Sequence, residues 1–149
     1  HDPVLRLAGV NRALEGLAID VFTTMKEFGD LAGDPFLEFC EDWMLADEVT
    51  HVKMGSDWLR RVTENDPDRR KRALEFQGVV DKLFSYGGTR SDSQESPIGL
   101  ARRFRELAGF TDDEVEDIAE VSLAALEERK VAVAKMQAAA ADVEQLTGA

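Results

Sequence analysis

Leu45-Ala46-Asp47-Glu48-Val49-Thr50-His51-Val52 is the stretch whose reading decides the fold. It sits in a segment where Leu37, Met44, Val52, Trp58, Leu59 and Val62 recur at helical spacing, which predicts an amphipathic helix with a buried stripe. Glu48 and His51 fall on that stripe. At 3.6 residues per turn, a spacing of three leaves two side chains about 60° apart and one turn displaced, so both point the same way. A charge among apolar groups is costly unless something pairs with it. A buried Glu with a neutral His is a natural pair of metal ligands.

Working outward, the helix before it is expected from about Val4 to Phe28, with Leu7, Val10, Leu14, Ala18, Val21, Met25 and Phe28 as its apolar face. Gly29 or Gly33 supplies the left-handed cap that ends it. Asp34-Pro35 then reads as an N-cap followed by Pro at the first helical position. So short a connection makes the two helices antiparallel neighbours. Asn65-Asp66-Pro67 repeats the start signal for a third helix, reaching about Tyr86 through Leu74, Phe76, Val79, Val80, Leu83 and Phe84. Gly87–Ser96 is loop-like, and Ser96-Pro97 is expected to open a short helix to about Ala108. Thr111-Asp-Asp-Glu114 is a capping box before a last helix through Val115, Ile118, Leu123 and Leu126. No segment has strand periodicity. The expectation is all-α: one helical domain, residues 1–149, with a site helix pair in 1–62 and C-terminal helices in 66–149.

The 149 residues suffice for one core, and 44% apolar with 32% charged residues is ordinary for a soluble domain. A formal charge of −12 argues against a general nucleic-acid surface, which needs a basic field. Arg69-Arg-Lys-Arg72 and Arg102-Arg-x-Arg105 are read as solvated helix faces. Cys40 is the only cysteine, so no intrachain disulfide forms and a reducing, cytoplasmic setting fits. It is read as a small core residue. No apolar run reaches the ~20 residues of a membrane span. The chain opens at His1-Asp2-Pro3 without Met, which suggests a processed or trimmed piece.

In di-metal carboxylate bundles, two helices each give a Glu and two others each give Glu-x-x-His. One copy of each is found here: Glu15, and Glu48-x-x-His51. With 15 glutamates in the chain, a given His has a Glu three before it about one time in ten, so weight rests on joint placement. Taken alone, Glu15 would be an edge carboxylate that reaches water or pairs with Arg12. Asp47, about 100° around the helix from Glu48, is placed to reach a histidine on a neighbouring helix and fix its ring, or else faces solvent. Glu41, two turns before Glu48, is a spare ligand or a carboxylate on the access path. No Ser or Cys has a histidine partner beyond His51, so no catalytic nucleophile is identified.

Arg6-Leu-Ala-x5-Ala-Leu-Glu-Gly-Leu-Ala-Ile-Asp20, Gly29-Asp30, Asp47-Glu-Val-Thr-His-Val-x2-Gly55-x2-Trp58, Ser96-Pro-Ile-Gly-Leu-Ala-Arg102 and Leu107-Ala-Gly-Phe-Thr111 follow in order along the chain. Together they resemble the second half of a ferritin-like di-metal carboxylate family, in the superfamily that holds ferritins, rubrerythrins and a tRNA hydroxylase. The resemblance spans roughly Val4 to Glu120. It implies a ferritin-like bundle of which this chain is half, metal ligation by Glu15, Glu48 and His51, and Asp47 behind the ligands. It also implies two iron ions per complete site, with manganese as the other fitting metal. Family members carry an earlier helix pair with another Glu and another Glu-x-x-His, and neither is found here. The remaining half would come from a second copy in a homodimer or from a companion N-terminal piece.

The function these readings point to is a non-haem di-iron oxidoreductase activating dioxygen or peroxide. Ferroxidase or iron-storage activity is the first alternative. A metal-free helical scaffold, with the same residues as a buried polar network, is the second. Aliphatic acids, amines, a modified tRNA base and Fe(II) all stay open as substrates.

Overall fold

Local capping chemistry sets where the helices begin and end. The computed structural model describes residues 2–85 and 98–147, with side chains up to residue 138. Asp2 caps a first turn, α1 (Pro3–Arg6), which runs through a π-helical segment (Leu7–Leu14) into α2 (Glu15–Ala32). Gly33, at φ 67°, ends α2 with paired bonds from Gly33 N–H to Asp30 and from Asp34 N–H to Gly29. The Asp34 carboxylate accepts from Phe36 and Leu37 and starts α3 (Pro35–Val62). The third expected helix is α4 (Pro67–Ser85); the expected Gly87–Ser96 loop lies outside the described residues.

The short helix begins later than Ser96-Pro97 suggests. Residues 98–101 are non-helical, and α5 covers Arg102–Leu107. Their amides serve tertiary contacts instead: Gly99 N–H donates to Thr24 Oγ1 at 3.1 Å and Ala101 N–H to Asp20 Oδ1 at 2.9 Å. The capping box forms in both directions, with Thr111 N–H on Glu114 and Glu114 N–H on Thr111. It opens α6 (Asp112–Thr147). Among the described residues every regular element is helical, and no helix is long and apolar enough to cross a membrane.

The core differs from the stripe that hydrophobic periodicity marks out. The first helical run buries Ala8, Gly9, Arg12, Ala13, Gly16, Ile19 and Asp20, while Val10, Met25 and Phe28 are exposed. On α4 the buried residues are Ala73, Gln77, Asp81 and Ser85; Phe76, Val79, Leu83 and Phe84 are partly exposed, with the Phe76 ring against Gly9. On α3, Leu45, Val52 and Leu59 are buried, but Trp58 and Val62 are exposed, as is Leu123 on α6. Cys40 is a half-buried free thiol rather than a core residue.

Small residues let the helices approach, and buried cations tie them together. Arg105, expected to be solvated, is fully buried and makes a two-pronged ion pair with Asp20, at 2.7 Å for its closest contact. Arg12 reaches Ser56, Gln77 and Glu114, so one side chain joins the π segment to α3, α4 and α6. Both guanidiniums stack on Phe110, at 4.2 and 5.2 Å from its centroid. Burial pushes the Arg12 guanidinium below its ordinary pKa despite Glu114. At Arg105 burial acts in the same direction, but attraction and hydrogen bonding from Asp20 outweigh it and the net shift is upward.

Removing one partner of such a pair strands the other charge. Asp20→Ala is expected to cost about 3–5 kcal/mol, read from urea unfolding. A loss below about 1 kcal/mol, the worth of an exposed ion pair, would show that the pair does not hold α5 to α2.

Candidate functional site

The α2–α3 register positions the candidate ligands. A Cβ at Gly55 would lie 2.6 Å from the Asn11 Cβ, and one at Gly29 would lie 2.7 Å from the Glu38 backbone nitrogen. Lys26 pairs with Asp42 between these points. The two helices are therefore antiparallel and in close contact at both ends. This register sets Glu15 level with His51 and Val52, one turn from Glu48.

Angular position follows from 100° per residue. On α3, Ser56 and Arg60 face the π segment and the α5–α6 region through Arg12 and Gly109. Leu45 and Val52 come next, packed with Ile19. Beyond them, turning away from α5 and α6, follow Glu48, then Met44 and His51, then Cys40 and Trp58. On α2, Gly16 and Asp20 face Arg105. Ile19 is next, then Glu15 and Phe22, then Ala18, Met25 and Val21. All three candidate ligands thus lie on, or at the margin of, the side of the pair turned away from α5. Among the described residues, no further helix packs across that side.

Glu48 and His51 come together: Glu48 Oε2 is 3.3 Å from His51 Nδ1, with side-chain exposures of 18% and 46%. Two atoms bound to one first-row metal at about 2.1 Å, at near-right angles, are about 3 Å apart, so this spacing suits a shared ion. Asp47 Oδ1 lies 3.8 Å from His51 Nε2 and is well exposed. It attends the histidine of its own helix, not one on a neighbour.

Glu15 does not join them in a closed shell. Its carboxylate accepts from Asn11 Nδ2 at 3.2 Å to each oxygen, instead of pairing with Arg12. Among the described residues, no three His, Cys, Asp or Glu side chains gather closely enough to hold a metal. Glu41 is buried, and its Oε2 has no hydrogen-bond partner among them. An axial rise of about 10 Å separates it from Glu48, so it is a second acidic point on α3 rather than part of the same shell. The donors present fit half of a carboxylate–histidine centre and do not complete one.

Two participants escaped the sequence reading. Asn11, four residues before Glu15, could have been found from that spacing, which lets an amide reach a carboxylate along a helix. The π segment, ending one residue before Glu15, leaves no such signal; π-helical turns recur at functional sites.

Residues 1–116 match the family described as "Protein of unknown function (DUF455)", and the chain belongs to that family. No curated protein and no solved structure matches it.

Gly55→Ala is expected to push α3 from Asn11 and destabilise the protein by about 1–3 kcal/mol, measured by thermal or urea unfolding. Unchanged stability would mean that α2 and α3 are not held at this distance.

Proposed function

We propose that this chain supplies half of a ferritin-like di-metal carboxylate centre, with Glu48 and His51 as paired ligands and Glu15 as the carboxylate from the facing helix. The observation that carries the reading is the 3.3 Å Glu48–His51 pair on the open side of α2–α3, with Glu15 level with it. Carboxylate with some imidazole suits iron or manganese. Such ions, when bound, supply redox chemistry toward dioxygen or peroxide. The protein's part is to present the donors and restrict water. Glu48 and His51 Nδ1 offer adjacent donor atoms. Asp47, near Nε2, is placed to orient the ring as outer carboxylates do. Asn11 holds Glu15 until it is needed as a ligand, and Met44, Val21 and Ala18 form the apolar surround. The other half of the ligand set comes from a second copy or a companion N-terminal piece. A cytoplasmic oxidase or oxygenase is the preferred activity, with ferroxidase or iron storage as the alternative.

A metal-free scaffold is favoured by a separate observation: Asn11 satisfies Glu15, and no three donors gather among the described residues.

Metal analysis after loading with Fe(II) or Mn(II) and desalting decides between these readings. Glu48→Ala and His51→Ala should empty the site, and Asp47→Asn should weaken metal binding about 10–100-fold. Equal metal content in wild type and all three variants would leave the scaffold. In the loaded protein, substrate-dependent oxygen uptake separates an oxygenase from a ferroxidase.

A further inference from the structure

We infer, resting on the reading of Glu15, Glu48 and His51 as ligands, that Asn11 is a latch on Glu15. It holds that carboxylate away from the Glu48–His51 pair, and a metal ion draws Glu15 in only by displacing the Asn11 amide. Metal affinity is thereby set in part by a residue that is not itself a ligand.

The direction of the pull carries the inference. Asn11 Nδ2 donates to both Glu15 oxygens, at 3.2 Å each. Asn11 is level with Gly55 on α3, where a Cβ would fall 2.6 Å from its own Cβ. Glu48 lies seven residues earlier on α3, an axial rise of about 10 Å from Gly55, and Glu15 stands between the two levels. The bonds from Asn11 therefore draw the carboxylate along the helices toward Gly55 and away from Glu48. Glu48 and His51 are already adjacent, at 3.3 Å. The displaced member of the set is the one that Asn11 holds.

The post to which Glu15 is tied cannot travel with it. The Asn11 Cβ rests against Gly55, and the next residue, Arg12, is buried. Arg12 is fixed by Gln77 at 2.8 Å, Ser56 at 3.2 Å and Glu114 at 2.9 Å, on three different helices. Turning the π segment to carry Asn11 along would break all three contacts. Glu15 is only partly buried, and among the described residues no cation pairs with it. Its carboxylate is free to swing about its own side-chain torsions once the amide lets go.

A latch of this kind weakens binding by the fraction of molecules in which Glu15 is released. For one amide–carboxylate bond at a partly solvated position that fraction corresponds to about 3–10-fold in affinity.

Mn(II) binding to the purified protein, followed by the electron paramagnetic resonance of the free ion, tests the latch. Asn11→Leu keeps the size, the charge and the contact with Gly55 but removes the donor. It should bind Mn(II) about 3–10-fold more tightly than wild type, with an unchanged helical circular-dichroism signal. If Asn11→Leu fails to fold, Asn11→Ala, which keeps the Cβ on Gly55, carries the same expectation. In a Glu15→Gln background the Asn11 substitution should change nothing, because the carboxylate it would release is gone. Binding seen only in the Asn11 variant is the same result at its limit. Wild-type binding that needs Glu48 yet is equalled or weakened in folded Asn11→Leu would overturn the latch and leave the ligand reading standing. A gain that persists with Glu15→Gln would overturn it too. No Mn(II) binding in either wild type or variant would overturn the latch and the ligand reading together.

Discussion

The close approach of α2 to α3 governs the rest of the structure. Gly29 beneath Glu38 and Gly55 beneath Asn11 leave no space for a Cβ, so the two helices can neither slide nor separate without loss of packing. That register alone brings Glu15 to the level of His51. It also sets Asp20 and Gly16 against Arg105, so that α5 packs on one side of the pair and leaves the other side open.

The two sides are built from different chemistry. Inside, small residues admit two arginines, Arg12 paired with Glu114 and Gln77 and Arg105 with Asp20, both stacked on one phenylalanine. A buried ion pair adds little net stability over apolar packing, but losing one partner is expensive. Its value here is positional, because it determines which face of α2 turns inward. Outside, large apolar side chains share the open side with a carboxylate–imidazole pair whose imidazole is half exposed.

Helix boundaries were largely legible in the sequence because their causes are local. Asp34-Pro35, Gly33 and the Thr111–Glu114 box each act within a few residues, and each works as read. The start of α5 was not legible, because Gly99 and Ala101 spend their amides on Thr24 and Asp20, more than seventy residues away. Nor was the choice of buried face. Periodicity found the row Val10, Leu14, Val21, Met25 and Phe28 correctly as a row. It could not tell a face that packs within the chain from one that stays open. The competing row of Ala8, Gly9, Ala13 and Gly16 was a visible signal of close helix contact, with Arg12 and Asp20 among the small residues. At the candidate site, the Glu48–His51 spacing was legible from helix geometry. The hold of Asn11 on Glu15 and the attachment of Asp47 to its own histidine depend on rotamers, which spacing does not specify.

The proposed centre requires a metal ion at one location. Anomalous diffraction from crystals grown with Mn(II) tests it directly, since the scattering peak reports position independently of activity. The predicted result is a peak bonded to Glu48 and to His51 Nδ1, with the Glu15 carboxylate released from Asn11 toward it. A fully occupied peak elsewhere, or none at Glu48 with the Glu15–Asn11 bonds intact, would contradict the account and leave these residues as a polar network within a helical scaffold.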